Sequence, residues 1–427
     1  MKTQYDKVII KIDKWMVVLI SFLFILMVIC LPVIGGIVSF GGAFLLNKRA
    51  ARVCLVVSVF TLGILSILFV PFVRNDLYRY FQTMQSVQYL QNLHQFFEYA
   101  KTDPILQYQN NPLFNILEFE IAKTHHFYFL PYIDTIVCYT CVLYPIFDLK
   151  EHGKISNVFS LWLAIGGVST FYFFYILTYI RWVMACALFV LVSYLYFFKL
   201  KKARYLWLYL IPVFFHTGII LAVLIAIYIA LLKRVKISSL IIPIPFFVLI
   251  LVSSLVLNVS GGSSNIIFKL VGMLQSYTVI AKPSDFSDWV VFIANLIGTW
   301  ILVVVALYFA MNGNEKLKNK FTALTVLESL CYAFLLTSIQ ITERYSLIIS
   351  MLAIITLIEN FNNLNNKNRV LPMILISFSI LVKIYAAYLK FKGMQFSIPL
   401  PKAMFANIFF YISELLKNAP TYFWWGN

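Results

Sequence analysis

Apolar runs of about 20 residues follow one another along almost the whole chain, separated by short polar punctuation. Each run is long enough to cross a hydrocarbon core of roughly 30 Å as a helix. Lipid offers no partners to backbone N–H and C=O groups, so helices are the expected solution. The runs fall at 15–46, 53–72, 129–148, 155–177, 182–198, 205–232, 237–258, 289–311, 321–339, 345–361 and 370–390. The pattern predicts an all-α polytopic membrane protein with about 11–13 transmembrane helices, in a single integral domain over 1–427. Run 15–46 is too long for one untilted helix and carries "LPVIGG" in its middle, so it reads as two short helices or as one helix with an interfacial lead-in. Run 205–232 is also long and is interrupted by "HTG" at 216–218.

Charge changes this picture from a list of spans to an orientation. Dense basic clusters stand at "NKRAAR" (from 47), "DLKEHGK" (148), "KLKKAR" (199), "KRVK" (233), "NEKLKNK" (314) and "NNKNR" (365), and the Lys2–Lys14 leader is basic as well. The alternating connections are poorer in Lys and Arg, which puts the dense clusters in the cytoplasm by the positive-inside rule. Both flanks of 205–232 then lie inside, so the segment must enter the bilayer and return, breaking near Pro212–Gly218 with His216 at the turn. Two outer loops follow, 74–128 with short amphipathic helices and 259–288. The first is rich in Gln, Asn, Tyr and Phe, a mixture that suits sugar faces and hydroxyls and equally suits an ordinary interfacial loop. The aromatic tail "TYFWWGN" reads as a belt element.

Composition agrees: 62% of the 427 residues are hydrophobic and 12% are charged, against about 25% charged in soluble domains. The net charge of +17 does not imply nucleic acid, because the basic residues sit between apolar runs as orientation signals; some of it suits anionic membrane lipid. The six cysteines all lie in apolar runs and read as small packing residues, "CYTC" at 138–141 included. The first apolar run lacks a small-residue cleavage pattern, so no cleavable leader is expected. No metal motif is visible, and no cofactor is expected.

Four polar features fall at or inside the membrane on the outer side: Arg74, Asp76 and Arg79 with Tyr80 beside them; Arg181; His216; and Glu343 with Arg344. Ionisable groups at such depth cost several kcal/mol unless paired or solvated, so they are functional candidates by default. Each has a plainer reading. Arg74 and Arg79 can snorkel, Asp76 and Arg79 can form a local helix pair, Arg181 can meet a lipid phosphate, His216 can be a buried neutral histidine, and Arg344 can pair with Glu343. Asp134 is a second acid–base candidate or a helix-pairing group, and His125 and His126 read as solvated. Taken together, arginines from three separate elements on one face suit phosphate oxygens, which guanidinium binds bidentately. A histidine beside them can take a proton near neutral pH.

Five stretches, in order, then carry a resemblance: "RNDLYRYF" (74), "NNPLFNILEFEIAK" (110), "IRWVMACALFVLVSYLYFFKLKK" (180), "FFHTGII" (214) and "ERYSLI" (343). The chain resembles the EpsG family of Wzy-type exopolysaccharide and O-antigen polymerases over about residues 50–360. It departs at Asn75, where many members carry Gly, and at Thr217–Gly218, where Lys-Ser is common. The resemblance implies a metal-independent glycosyltransferase in the bacterial cytoplasmic membrane. Its substrate would be an undecaprenyl-pyrophosphate-linked glycan, polymerised on the outer side of the cytoplasmic membrane. A chain-length regulator or a flippase is the implied partner. On this reading Arg181 and Arg344 hold the pyrophosphate with Arg74 or Arg79 assisting, His216 is the general base, and Asp76, Tyr80 and Glu343 contact substrate. A flippase for the same lipid-linked unit, or a ligase using the same donor, would want similar residues.

Overall fold

The computed structural model describes residues 14–46, 48–72, 75–102, 111–235, 240–243, 286–312, 319–334 and 339–417. Arg74, the core of the 237–258 run, the 259–285 part of the second loop and the aromatic tail lie outside the described residues. The described chain is helical, apart from an isolated antiparallel bridge between Phe69 and Phe396. Among the described residues, seven helical stretches are long and apolar enough to cross a membrane: Arg49–Ser66, Phe129–Glu151, Asn157–Thr178, Ile180–Leu200, Asp288–Met311, Thr342–Asn363 and Val370–Lys392. Three shorter apolar ones accompany them, Pro32–Leu45, Ala203–Phe215 and Thr217–Leu231. The protein is a multi-pass membrane protein.

Run 15–46 resolves into two helices, α1 (Lys14–Cys30) and α2 (Pro32–Leu45). Pro32 takes the first position of α2, where its missing N–H is no loss. α2 lies against α3 (Lys48–Ser66), and a Cβ on Gly36 would meet Thr61 Oγ1 at 2.1 Å. Within lipid there is little hydrophobic drive between helices, so such close backbone approach is what joins them. α7 (Phe129–Glu151), α8 (Asn157–Thr170) and α10 (Ile180–Tyr194) form the centre with α13 (Phe286–Met311), α15 (Ile339–Asn360) and α16 (Val370–Lys392). The outward faces stay apolar, as at Val53, Val56, Val304, Leu371 and Phe378, all exposed.

The span expected over 155–177 is found as Asn157–Thr178, with a bend inside it. α8 ends at Thr170, and a short helix α9 (Phe173–Thr178) turns the chain into α10. The 205–232 run breaks where the sequence placed its turn: α11 (Leu210–Phe215) stops at His216, and α12 (Ile220–Leu231) leads away. The chain starts beside the far end of α10, where Tyr209 Oη lies 3.3 Å from Ser193 Oγ. It reaches the near end, where His216 meets Trp182 at 5.1 Å between ring centroids. It returns to Ala230, whose carbonyl accepts from Lys320 at 2.8 Å.

The described members of the basic clusters gather at one end of the bundle. Lys150 donates to the Leu46 carbonyl at 2.6 Å and pairs with Glu151 at 3.1 Å. Lys199 pairs with Asp148 at 2.7 Å, Lys154 with Glu359 at 3.3 Å, and Arg369 donates to the Leu364 carbonyl at 2.7 Å. At the opposite end, α4 (Asp76–Val87), α5 (Leu93–Thr102) and α6 (Pro112–Lys123) form a cap over a second apolar cluster. After α16 the chain folds back over α2 and α3 at this end. Val70 N–H donates to Gln395 at 2.9 Å, Ser397 N–H to Leu68 at 2.8 Å, and Tyr411 and Ala403 pack with Val33, Ile64 and Leu68.

Candidate functional site

α4 supplies the first group. Asn75 caps it by accepting the Leu77 N–H at 3.0 Å, and Asp76 stands in the first turn, where the helix dipole favours a carboxylate. Leu77, Tyr80, Phe81 and Met84 form its buried stripe at helical spacing. Asp76 is half-buried and lies 3.8 Å from Arg79, which is exposed on the outer surface. Burial raises the Asp76 carboxyl above the usual carboxylate range, and Arg181, Arg344 and Arg79 pull the other way.

Arg181 stands in the first turn of α10, an unfavourable place for a cation beside the positive end of the helix dipole. Its Nε–H donates to Tyr80 Oη at 2.6 Å, and its guanidinium lies over the rings of Tyr80 and Phe114, 5.4 and 5.8 Å from their centroids. Tyr80, read from sequence as a substrate contact, is almost fully buried and serves as the rest on which Arg181 lies. Arg344, early in α15, is held similarly, 5.2 Å from the Tyr179 centroid and 5.9 Å from that of Trp182. Trp182 Nε1–H also donates to the Arg344 carbonyl at 3.4 Å. Tyr175, Tyr179, Trp182, Glu343 and Arg344 line a small cavity of about 10 Å³, room for a single water.

His216 sits at the helix break, in reach of the charges of both Arg181 and Arg344. Its Nδ1 accepts the Gly218 N–H at 2.9 Å. A backbone N–H can only donate, so Nδ1 carries no proton and, in neutral imidazole, Nε2 does. In this tautomer the ring offers a donor to the site. The general-base role read from sequence would use a ring lone pair, and in this geometry the Nδ1 lone pair is engaged by the Gly218 N–H. Gly218 is required here, because a Cβ would stand 2.8 Å from Trp182 and 2.9 Å from the His216 ring. Tyr345 Oη–H donates to the Gly218 carbonyl at 3.2 Å, and Asn111 accepts the Thr217 N–H at 3.1 Å.

α6 brings a residue that sequence reading passed over. Phe114, Asn115, Glu118, Phe119, Ile121 and Ala122 form its buried face, so Glu118 lies one turn beyond Phe114 on the apolar side. Among the described residues neither carboxyl oxygen has a hydrogen-bond partner. Burial raises the Glu118 carboxyl to about 8, with Arg181 opposing. The signal was readable: at 3.6 residues per turn, Glu118 falls on the apolar stripe and Glu120 off it. Two more buried ionisable groups lie inside the spans and were also passed over. Lys383 donates to Thr299 Oγ1 at 3.2 Å, and Glu328 is enclosed in α14 (Lys320–Phe334).

Asp134 is fully buried in α7 and accepts the Cys138 S–H at 3.4 Å. His125, with φ of 59°, is exposed and meets Gln88 at 2.9 Å. The cysteines are free thiols, all buried except Cys30. The structure thus brings together Asp76, Tyr80, Arg181, His216, Glu343 and Arg344, and leaves Arg79 on the rim. Among the described residues no group of three or more His, Cys, Asp or Glu is placed to hold a metal ion.

Comparison of the chain with protein-family models, with curated proteins and with solved structures gave no match.

Proposed function

We propose that the protein is a glycosyltransferase of the bacterial cytoplasmic membrane that polymerises undecaprenyl-pyrophosphate-linked repeat units on the outer face. The observation that carries the reading is the pair Arg181 and Arg344. They come from different helices, each lies on aromatic rings, and their charges converge on Asp76 and His216 at the end of the bundle opposite the basic clusters. Positive-inside orientation makes that end extracytoplasmic. The ordered likeness to the EpsG family supports the same reading.

The chemistry follows from the roles the side chains can fill. The acceptor hydroxyl attacks the anomeric carbon of the donor sugar, and the bond from that carbon to the pyrophosphate oxygen breaks. Arg181 and Arg344 stabilise the charge that collects on the departing pyrophosphate. Asp76, whose pKa burial keeps closer to neutrality than that of an exposed carboxylate, takes the hydroxyl proton. His216 donates from Nε2 to a substrate oxygen, and Glu343 shapes the small cavity under Arg344.

Translocation of the same lipid is a second reading, favoured by one observation: Lys383 is buried among α13, α15 and α16 deep within its span, where an ionisable group commonly marks a transport path. Purified protein given lipid-linked repeats and resolved by product length decides between them. A ladder that disappears with Arg181→Ala supports the polymerase; unreacted repeats beside folded protein, with transfer across vesicles, would replace it with the transporter.

A further inference from the structure

The break in the 205–232 run leaves consecutive backbone N–H groups to satisfy, from His216 to Ile219. Those of His216, Gly218 and Ile219 find acceptors inside the segment. The His216 N–H donates to the Pro212 carbonyl at 3.0 Å, the Gly218 N–H to His216 Nδ1 at 2.9 Å, and the Ile219 N–H to the His216 carbonyl at 3.2 Å. The Thr217 N–H is met from another element, by Asn111 Oδ1 at 3.1 Å. A broken helix at membrane depth is tolerated only where its freed backbone groups find partners in the protein, so this bond completes the turn.

Asn111 gives up its ordinary role to make it. It stands at the N-cap of α6, where an asparagine side chain normally accepts an N–H of its own first turn. Asn75 does so for α4, and Asn407 for the helix Ile408–Leu415. The Asn111 side chain makes no cap bond and reaches instead to a residue 106 positions further on. Pro112, at the first helical position, has no N–H and lightens the loss. A buried side chain diverted from the role its position favours marks a place where the fold serves function. α15 holds the other side of the turn: Tyr345 donates to the Gly218 carbonyl at 3.2 Å and packs against Trp182, 5.5 Å between ring centroids.

We infer that Asn111 is a positioning residue for His216: it fixes the break from the outer cap, and so sets the ring orientation and the Nε2–H tautomer that His216 presents to the site. The cap of α4, α5 and α6 is then part of the construction of the site and not a cover alone. What His216 donates to rests on the glycosyl-transfer reading; which tautomer it holds does not. The test uses purified full-length protein with isotope-labelled histidine nitrogens, read by NMR. The His216 signals are those lost in His216→Gln. The wild type is expected to show a single Nε2–H tautomer. Asn111→Ala should replace it with a mixture of tautomers, and Asn111→Asp, which keeps an acceptor oxygen at the same reach, should restore it. Where Asn111→Ala is not monodisperse, Asn111→Ser serves with the same expectation. In the polymerisation assay Asn111→Ala should lower turnover about tenfold or more with little change in KM, and Asn111→Asp should regain most of it. An unchanged tautomer in Asn111→Ala overturns the inference, and so does a loss of turnover that Asn111→Asp does not restore. A wild-type protein that polymerises nothing overturns the glycosyl-transfer reading instead, and the tautomer comparison still decides the role of Asn111.

Discussion

The two ends of the bundle carry the same kind of charge and treat it differently. At the basic end, Lys150, Lys199, Lys154 and Arg369 finish helices: each meets a carboxylate or a terminal carbonyl within 2.6–3.3 Å. At the site end, the guanidinium groups of Arg181 and Arg344 stand over aromatic rings, 5.2–5.9 Å from the centroids. A carboxylate neutralises a cation, whereas a ring orients it and lowers the cost of removing it from water. The contrast teaches that cation count alone separates neither end; the partner does.

The largest effect expected from this contrast is at Arg181. Arg181→Lys keeps the charge but cannot span two rings while donating a side-chain N–H to Tyr80. Polymer formation in vitro should fall by at least about 100-fold while the protein stays folded in the membrane. Near-normal chain length would break the comparison, since charge alone would then suffice. Lys150→Met probes the other end. The Lys150 side chain is 2% exposed, and removing it leaves the Leu46 carbonyl without its donor, so a loss of roughly 2–3 kcal/mol in stability is expected. Turnover per folded molecule should not change, and a selective loss of turnover would show that the basic end takes part in catalysis.

Glu118 sharpens the comparison through pH. Its carboxyl is raised to about 8 in the fold from an ordinary 4.5. The folded state therefore holds a proton that the unfolded chain has released, and the stabilisation present below the ordinary value is lost as pH rises through about 8. Thermal unfolding in detergent at fixed salt should show the wild type weakening between pH 5 and 9, by up to a few kcal/mol. Glu118→Gln should flatten that slope, and identical slopes would remove Glu118 from the account. The smallest effect belongs to Arg79→Ala. An exposed pair at 3.8 Å contributes within about 0.5 kcal/mol, so unfolding should barely move and activity should fall only a few-fold. A loss as deep as that of Arg181→Lys would place Arg79 inside the site.

Much of the architecture was legible because bilayer physics leaves few solutions. Run lengths gave seven of the eleven expected spans among the described residues, while run 321–339 yields only the shorter helix Lys320–Phe334; Pro32 gave the break between α1 and α2, and the basic clusters gave the end at which they now gather. The turn at His216 followed from two basic flanks needing the same side. The interruption between α8 and α9 was not legible, because "FYFFYILT" is as apolar as the span before it and only packing decides where it bends. In the site, Arg181, Arg344 and Asp76 were readable as charges out of place. The tautomer of His216 was not, because it depends on a hydrogen bond from Gly218 two residues away. Tyr80 was found as a candidate, but its contact with Arg181 was not legible, since sequence shows an aromatic beside arginines and cannot say which arginine rests upon it.

The contact of Phe69 with Phe396, and of Tyr411 with the Val33–Leu68 cluster, has a temporal meaning. The upper ends of α2 and α3 are sealed by residues made more than three hundred positions later, so these helices wait in the bilayer with those ends uncovered until that segment has been synthesised. Ribosomes stalled before that point should leave α2 and α3 open to protease and chaperone alike.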